Sequence, residues 1–305
     1  MSEIVSKITL DKKANKNSFQ RLYNKNGWFF VLPAVVLVSL FMIYPIINSL
    51  WMSMHSGRGV IVNFVGFDNV IRLFNDPVFI KALSNTFIFL IVQVPMMVLL
   101  SLALSSCLNS PNLKFVGFFR LAIFLPCVTS LVAYSILFKS MFSYDGIMNS
   151  FLIWVGIISD PIPWLSDPFW AKVTIIIAIT WRWTGYNMIF FLSAMQNIDK
   201  SIYEAARIDG VSPIKQFFFI TVPLLKPIIL FTSVMSTIGT LQLFDEVMNI
   251  TAGGPGIETL TLSMYIYDLS FKFVPNFGYA ATVSYVIVFF AAIFAMLQFR
   301  VARDK

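Results

Sequence analysis

The stretch that decides the fold lies between Ala82 and Leu108 and has the sequence ALSNTFIFLIVQVPMMVLLSLALSSCL. It contains no charged residue, and about 20 apolar residues are enough to cross the hydrocarbon layer of a membrane as a helix. The whole chain has this character, because 58% of its 305 residues are hydrophobic and 12% are charged. A soluble domain has about 25% charged residues. The sequence therefore predicts an all-α integral membrane protein.

Six largely uncharged runs of this kind follow one another, so we expect six transmembrane helices. The predicted spans cover residues 28–51, 82–108, 120–140, 172–195, 226–249 and 273–299. They form one six-span domain, 28–300, between a basic tail 1–27 and a short tail 301–305. Residues 146–159 are also uncharged but too few to cross, which predicts a helix on the outer surface.

The basic residues predict the orientation. Most of the 22 lysines and arginines fall on one side when the spans alternate, in the tails 1–27 and 301–305, around Lys114 and in the loop 197–225. The positive-inside rule therefore places both termini and this loop in the cytoplasm. The basic residues are scattered between apolar runs, which argues against nucleic acid as a partner. Two cysteines and one histidine, His55, predict neither a disulfide framework nor a metal site.

The loop 197–225 has the signals of two short helices. Gly210 is placed to end the first helix in the left-handed conformation, since glycine adopts it without strain. The candidate N-caps are Asp199 or Ser201 for the first helix and Ser212, followed by Pro213, for the second. Two alanines and a glutamate of the first helix predict a small face that fits a groove of a soluble partner. The alternative is an ordinary amphipathic connector.

Two patterns carry a resemblance to a known family. Glu204-Ala205-Ala206-x-x-Asp209-Gly210, followed by Ile220-x-x-Pro223, resembles the "EAA" signature of permease subunits in ATP-binding-cassette (ABC) importers. The second pattern resembles the MalF-type half of carbohydrate importers: Leu243-Phe244-Asp245, Thr251-Ala252-Gly253-Gly254-Pro255, Thr259, Tyr265-Ile266-Tyr267 and Gly278-Tyr279-Ala280-Ala281. The resemblance implies the type I ABC importer permease fold with its six transmembrane helices.

The resemblance also implies roles for residues. In that family the loop is a coupling helix that docks in a cleft of the cytoplasmic ATPase. The implied docking residues are Glu204, Ala205, Ala206, Asp209, Gly210, Ile220 and Pro223. The fourth and fifth spans line the sugar site, and the offsets imply Trp183, Thr184, Gly185, Met188, Ser236, Gly239, Thr240 and Leu243 as pathway residues. Alternatively, the small residues among them only allow close helix packing.

Arg182 stands out because it lies near the middle of the fourth predicted span. A charge at that depth must face protein or water rather than lipid. Asp245 or Glu246, near the outer end of the fifth span, are its candidate partners. We expect an Arg182–Asp245 ion pair that acts as a gate or scaffold.

No catalytic chemistry is predicted for this chain. It contains no G-x-x-x-x-G-K-[ST] phosphate loop, so it cannot hydrolyse ATP itself. We expect no catalytic residue, no metal and no bound cofactor, with ATP and Mg²⁺ belonging to a separate ATPase. The chain is thus predicted not to be an enzyme.

The resemblance implies a permease of a sugar importer in the bacterial inner membrane. The implied partners are a second homologous permease, two copies of the ATPase, an extracytoplasmic sugar-binding protein and membrane lipid. Two alternatives remain: a secondary transporter driven by an ion gradient, or a scaffold subunit without a pathway. The first is disfavoured because no carboxylate is expected deep in a span, where a proton relay usually needs one.

Overall fold

The computed structural model describes residues 27–58, 61–110 and 113–303. The chain divides into two compact units, one that ends at Ser53 and one that begins at Met54. Of the two predicted tails, residues 1–26 and 304–305 lie outside the described part.

Helix α1, Gly27–Ser53, is the described part of the first unit and contains the predicted first span 28–51. No charged residue interrupts it, and one wider π turn lies at Ser39–Ile43. None of its most apolar window is buried within the chain.

The second unit is built mainly from helices, which confirms the predicted helical fold class. In chain order they are α2 Asp68–Asn75, α3 Pro77–Leu108, α4 Val116–Val128, α5 Leu131–Met141, α6 Ile147–Trp154, α7 Pro168–Gln196, α8 Lys200–Ile208, α9 Pro213–Leu224, α10 Lys226–Leu241, α11 Asp245–Ile250, α12 Leu262–Tyr267 and α13 Phe277–Arg303. Helix α6 lies inside the run 146–159, for which a short surface helix was expected.

Helices α3 and α7 begin before the predicted starts of the second and fourth spans, residues 82 and 172. An aspartate followed by proline caps each of them. Asp76 Oδ1 accepts a hydrogen bond from Val78 N at 2.9 Å, and Asp167 Oδ1 accepts one from Phe169 N at 2.9 Å. Because the cap satisfies backbone donors of the first turn, each helix extends beyond its apolar run.

The predicted third span, 120–140, is not one continuous helix. Helices α4 and α5 meet at an angle of 100°. Thr129 lies between them with an extended backbone, and its hydroxyl donates to the Pro126 carbonyl oxygen at 2.7 Å. This local hydrogen bond competes with the helical pattern, which explains why the helix ends there.

The predicted fifth span, 226–249, is also interrupted. Helix α10 begins at Lys226, at an angle of 71° to α9, and ends at Leu241. The chain then leaves the helix until α11 begins at Asp245. The Thr261 hydroxyl donates to the Leu243 carbonyl oxygen at 2.6 Å, so a side chain from a later segment satisfies the broken backbone.

The last span was predicted at 273–299, whereas α13 begins at Phe277. A π turn at Asp268–Lys272 precedes it, and Asn276 Oδ1 accepts a hydrogen bond from Tyr279 N at 3.1 Å. This side-chain acceptor marks the start of the helix, which an apolar count does not detect.

The described residues contain four helices that are long and apolar enough to cross a membrane singly: α1, α3, α7 and α13. The total reaches six, the predicted number, when α4 with α5 and α9 with α10 each count as one bent span. Breaks at membrane depth are tolerated where protein covers the freed backbone groups or where they line a cavity.

The described residues also contain two short strands. Strands β1 (His55–Arg58) and β2 (Ile61–Phe64) form an antiparallel hairpin in which His55 pairs with Phe64. The helical prediction did not include it, because a strand this short gives almost no periodic signal.

The largest apolar core joins α3, α7 and α13, and Phe89, Ile175 and Tyr279 are fully buried in it. A buried amide connects the loop after α11 to this core. Asn85 Nδ2 donates to the carbonyl oxygens of Ile257 at 3.1 Å and Leu260 at 3.0 Å. These bonds fix the loop that follows α11. The next residue after Leu260 is Thr261, whose hydroxyl bonds to the Leu243 carbonyl oxygen at the break between α10 and α11.

Candidate functional site

The second unit contains a cavity of about 590 Å³ at the break between α10 and α11. This volume is usual for small-molecule sites, which measure about 300–1,000 Å³. Its walls come mainly from α3, α7, α10 and the residues of the break. The lining residues are Gln93, Met97, Leu131, Ile179, Trp183, Tyr186, Asn187, Met235, Ser236, Gly239, Thr240, Gln242, Leu243, Phe244, Asp245 and Glu246.

Five of the eight predicted pathway residues line this cavity. They are Trp183, Ser236, Gly239, Thr240 and Leu243. Trp183 lies on α7 and the other four on α10 or at the break after it, and the fold brings both sets to one cavity. Their role in a pathway stays a prediction.

The other three predicted pathway residues face neighbouring helices. A Cβ atom at Gly185 would lie 2.0 Å from the Ile123 carbonyl oxygen of α4. Met188 is fully buried beside Ile123, and the Thr184 carbonyl oxygen accepts a hydrogen bond from Ser101 Oγ at 2.9 Å. A helix turns once every 3.6 residues, so these positions cannot share the face of Trp183. At Gly185 the structure shows the close helix packing that was the alternative for the small residues.

Two lining residues of the second predicted span were not predicted. Gln93 is 1% exposed, and its Oε1 lies 2.7 Å from the Thr240 hydroxyl that donates to it. Its Nε2 donates to Met97 Sδ at 3.2 Å, and a thioether is a weak acceptor. A buried amide in an apolar run is costly, and this cost was the sequence signal that could have identified Gln93.

The polar and aromatic groups of the cavity suit a polyhydroxylated ligand. The rings of Trp183 and Tyr186 are partly exposed and meet edge to face at 5.8 Å. Trp183 Nε1 donates to Glu246 Oε1 at 3.3 Å, and Asn187 Nδ2 donates to Ser236 Oγ at 3.3 Å. Ring faces can stack on a sugar ring, while amides, hydroxyls and carboxylates bind its hydroxyl groups.

The predicted ion pair of Arg182 and Asp245 does not form. None of the three salt bridges in the described ranges involves either residue. The Arg182 guanidinium is buried and lies over the ring of Tyr134, 4.9 Å from its centroid, because this face of α7 turns toward α5. Asp245 is exposed at the start of α11. Glu246, the other candidate partner, is 4% exposed and bonds to Trp183.

The loop 197–225 forms the two helices that were expected, α8 and α9. Asp199 caps α8 by accepting a hydrogen bond from Ser201 N at 3.0 Å. Gly210 has φ +73°, and Val211 N donates to the Ala206 carbonyl oxygen at 2.9 Å, which is a left-handed helix end. Helix α9 has Ser212 as its N-cap residue and proline in its first turn, but the Ser212 side chain makes no cap hydrogen bond.

The predicted docking residues divide by exposure. Glu204, Ala205, Asp209, Gly210 and Pro223 are exposed, Ile220 is half-buried and Ala206 is buried. The prediction that Ala205 and Ala206 together form a small exposed face is therefore wrong, because Ala206 packs inward. The exposed apolar groups are larger than expected: Ile208 is 87% and Ile214 is 72% exposed. A bond between Tyr203 Oη and Thr221 Oγ1, 2.9 Å long, connects the two helices.

The opposite ends of α3 and α7 are held by ionic contacts. Glu258 Oε2 lies 2.7 Å from Lys81 Nζ and 2.7 Å from Lys172 Nζ. Hydrogen bonds from Lys172 and Lys81 hold the pKa of the Glu258 carboxyl below its usual value. At Asp76, burial opposes ionisation, yet hydrogen bonds from two tyrosines and two backbone amides hold its pKa below the usual value.

Comparisons with known proteins agree with this geometry. A family model described as "Binding-protein-dependent transport system inner membrane component" matches residues 72–303. The chain is 61% identical to the lactose transport system permease protein LacF of Rhizobium radiobacter, over 95% of this chain and 98% of that protein. It is 33% identical to the arabinooligosaccharides transport system permease protein AraP of Halalkalibacterium halodurans, over 88% and 84% of the two chains.

Solved structures share the fold. A chain from the crystal structure of a bacterial ABC transporter for the import of the acidic polysaccharide alginate superposes with a TM-score of 0.78 at 24% identity, covering 93% of this chain and 98% of that chain. The family model and the curated relatives confirm the predicted resemblance. The chain belongs to the family of binding-protein-dependent transport system inner membrane components.

Proposed function

We propose that this chain is a permease subunit of an ATP-driven, binding-protein-dependent sugar importer and forms one half of its translocation pathway. The observation that carries the proposal is the cavity at the break between α10 and α11, with aromatic rings and amides in its walls. The family and its sugar-transporting relatives support it. Lactose is the first sugar to test, because it is the sugar in the name of the 61% identical relative.

The proposed assembly has four kinds of component. This chain pairs with a second homologous permease, binds two copies of a cytoplasmic ATPase and receives sugar from an extracytoplasmic binding protein. Both termini and the loop 197–225 face the cytoplasm, as the excess of basic residues on that side supports. ATP and Mg²⁺ bind to the ATPase.

The contacts of the loop supply a route from the ATPase to the cavity. The ATPase contacts the exposed Glu204 and Ile208 of α8, which bonds to α9 through Tyr203. Helix α9 bends into α10 at Leu225, which is buried in an apolar cluster with Phe191 of α7. Because α7 and α10 both line the cavity, movement of the loop changes the shape of the cavity, which is how alternating access would be driven.

The ion-driven alternative gains one observation. Glu246, which was expected near the outer end of the fifth span, is a buried carboxylate. A buried acid is a usual part of a proton relay. The experiment must therefore separate an ion gradient from ATP as the energy source.

We would reconstitute the chain with its co-purifying partners in liposomes and measure lactose uptake with ATP, with a proton or sodium gradient, and with neither. We expect uptake only with ATP. Uptake that persists without ATP would end the importer proposal, and uptake in no condition would end the transport role for this sugar.

A cavity-filling variant gives the matched test of the pathway. An added Cβ at Gly239 meets no atom within 4 Å, so Gly239→Trp fills the cavity rather than the packed core. We expect it to abolish uptake. Gly117→Trp places the same side chain in open space outside the cavity and should keep uptake.

A further inference from the structure

Helix α10 lies between two interruptions of the backbone, so its rotation about its own axis depends on contacts with its neighbours. It follows the 71° bend after α9 and ends at Leu241, where the break begins. Hydrogen bonds between side chains join it to three other helices: Thr240 Oγ1 to Gln93 Oε1 of α3 at 2.7 Å, Ser236 Oγ to Asn187 Nδ2 of α7 at 3.3 Å, and Thr237 Oγ1 to Gln298 Nε2 of α13 at 2.8 Å.

The bond to α13 differs from the other two because it lies outside the cavity. Both partners of the bonds to α3 and α7 line the cavity, whereas neither Thr237 nor Gln298 does. Ser236 and Thr240 are four residues apart and share one face of α10, while Thr237 is turned about 100° from Ser236. A ligand in the cavity can compete for the first two bonds, but the third is out of its reach.

The bond between Gln298 and Thr237 is specific to this pair. Thr237 is 3% exposed, and the buried Oε1 of Gln298 has no hydrogen-bond partner among the described residues, so the amide bonds to Thr237 alone through its Nε2. An amide in an apolar span is costly, and bonds of this kind hold membrane helices together. Thr232, which is also buried on α10, bonds only to carbonyl oxygens of its own helix.

We propose that Gln298 is a positioning residue, whose bond to Thr237 fixes the rotation of α10 so that Ser236 and Gly239 face the cavity. The inference rests on the proposed function, because it concerns the same pathway. Loss of the bond lets α10 rotate and turns its cavity-lining face away. Sugar binding then weakens although every group that lines the cavity is still present.

The first test measures the orientation of α10 and does not depend on transport. Gly239→Cys places a thiol in the open space of the cavity, after Cys107→Ser and Cys127→Ser have removed the natural thiols. Its labelling rate with a small water-soluble methanethiosulfonate is measured in the complete purified transporter. We expect Gln298→Leu and Thr237→Val each to lower this rate about threefold, which is the worth of one hydrogen bond between membrane helices.

Three further variants separate positioning from a general loss of packing. Thr237→Ser keeps the hydroxyl and should keep the labelling rate. Thr232→Val removes a buried hydroxyl from the same helix without breaking a bond to another helix, and it should also keep the rate. Gln298→Leu combined with Thr237→Val should lower the rate no further than either substitution alone, because both remove the same bond.

The second test measures lactose binding by calorimetry on the complete transporter with Gly239 in place, and without the sugar-binding protein. We expect the dissociation constant to rise about threefold in Gln298→Leu and Thr237→Val, again the worth of one such bond, and to stay at the wild-type value in Thr237→Ser. The Thr237 variants decide the result if Gln298→Leu does not assemble.

An unchanged labelling rate in Thr237→Val, or additive losses in the double variant, would overturn the inference. A changed labelling rate with unchanged lactose binding would also overturn it, because the rotation of α10 would then not matter to the site. Failure of the proposed function has a different signature, namely the absence of ATP-dependent uptake in liposomes while the labelling rates still differ as expected.

Discussion

Two faces of helix α7 differ in what their side chains contact, although they alternate along the same six residues, 183–188. Trp183, Tyr186 and Asn187 line the cavity. Gly185 and Met188 pack against α4, and Gly185 has no room for a Cβ atom. Residues that a family signature groups by position in sequence are thus divided by helical periodicity into a cavity-lining face and a packing face.

This difference teaches how a small residue in a membrane helix should be interpreted. Gly185 and Gly239 were both expected to line the pathway. An added Cβ at Gly239 meets no atom within 4 Å, whereas one at Gly185 meets the backbone of Ile123. A glycine can line a cavity only where space remains beside it.

The largest expected effect comes from a substitution that disrupts the packing of α7 against α4. Gly185→Ala places its Cβ against a backbone carbonyl, which cannot move aside as a side chain can, so α4 and α7 must separate. Overpacking of this kind costs about 1–3 kcal/mol. We expect a lower thermal unfolding midpoint and less protein in the membrane.

Gly239→Ala is the matched control for that substitution, because it adds the same methyl group in open space. It should keep the midpoint of wild type. Equal midpoints for the two variants would contradict the distinction between the faces.

The next effect concerns the cavity-lining face. Trp183→Ala removes a ring from the cavity and the donor to Glu246 without opening the packed face. We expect lactose uptake at low sugar concentration to fall about tenfold, which corresponds to about 1.4 kcal/mol of lost binding. Trp154→Ala is the control, since Trp154 is 82% exposed on α6. An equal loss of uptake in Trp154→Ala would show that lactose uptake does not depend on Trp183 in particular.

The smallest effect is expected at the far end of α7, where Lys172 and Lys81 contact Glu258. The pKa of Glu258 is lowered in the folded protein, so its contribution to stability is complete above its usual value of 4.5 and is lost as the pH falls through the lowered pKa. Because these groups are partly exposed, we expect at most about 1 kcal/mol.

The measurement is the difference in unfolding midpoint between wild type and Glu258→Gln. It should be present at pH 7 and disappear as the pH falls below 4.5. A difference that stays constant with pH would show that the carboxylate charge is not what stabilises this end.

Much of the fold could be predicted because membrane spans follow from apolar length alone. The helical ends could not, since Asp76 and Asp167 extend their helices through side-chain caps outside the apolar runs. The break at Thr129 was missed for a similar reason. The apolar pattern is continuous through this position, but the Thr129 hydroxyl bonds to the nearby Pro126 carbonyl oxygen and the helix ends there.

The candidate site was predicted in part. Gly210 was correctly expected to end α8, because its conformation depends on the local chain. The inward turn of Ala206 and the packing of Gly185 depend on neighbouring helices, which a sequence without contacts does not show. Gln93 was missed because its partner Thr240 lies far away in the sequence and only the fold brings the two together.

The central claim is that energy from ATP enters through the exposed face of α8 and reaches the cavity. The most direct test is ATP-driven lactose uptake by Glu204→Lys in the reconstituted transporter, with lactose binding measured on the same preparation. Asp145→Lys makes the same charge reversal at an exposed site outside the loop. We predict that Glu204→Lys lowers uptake to the level without ATP while lactose binding and Asp145→Lys uptake persist. Wild-type uptake by Glu204→Lys would contradict the account.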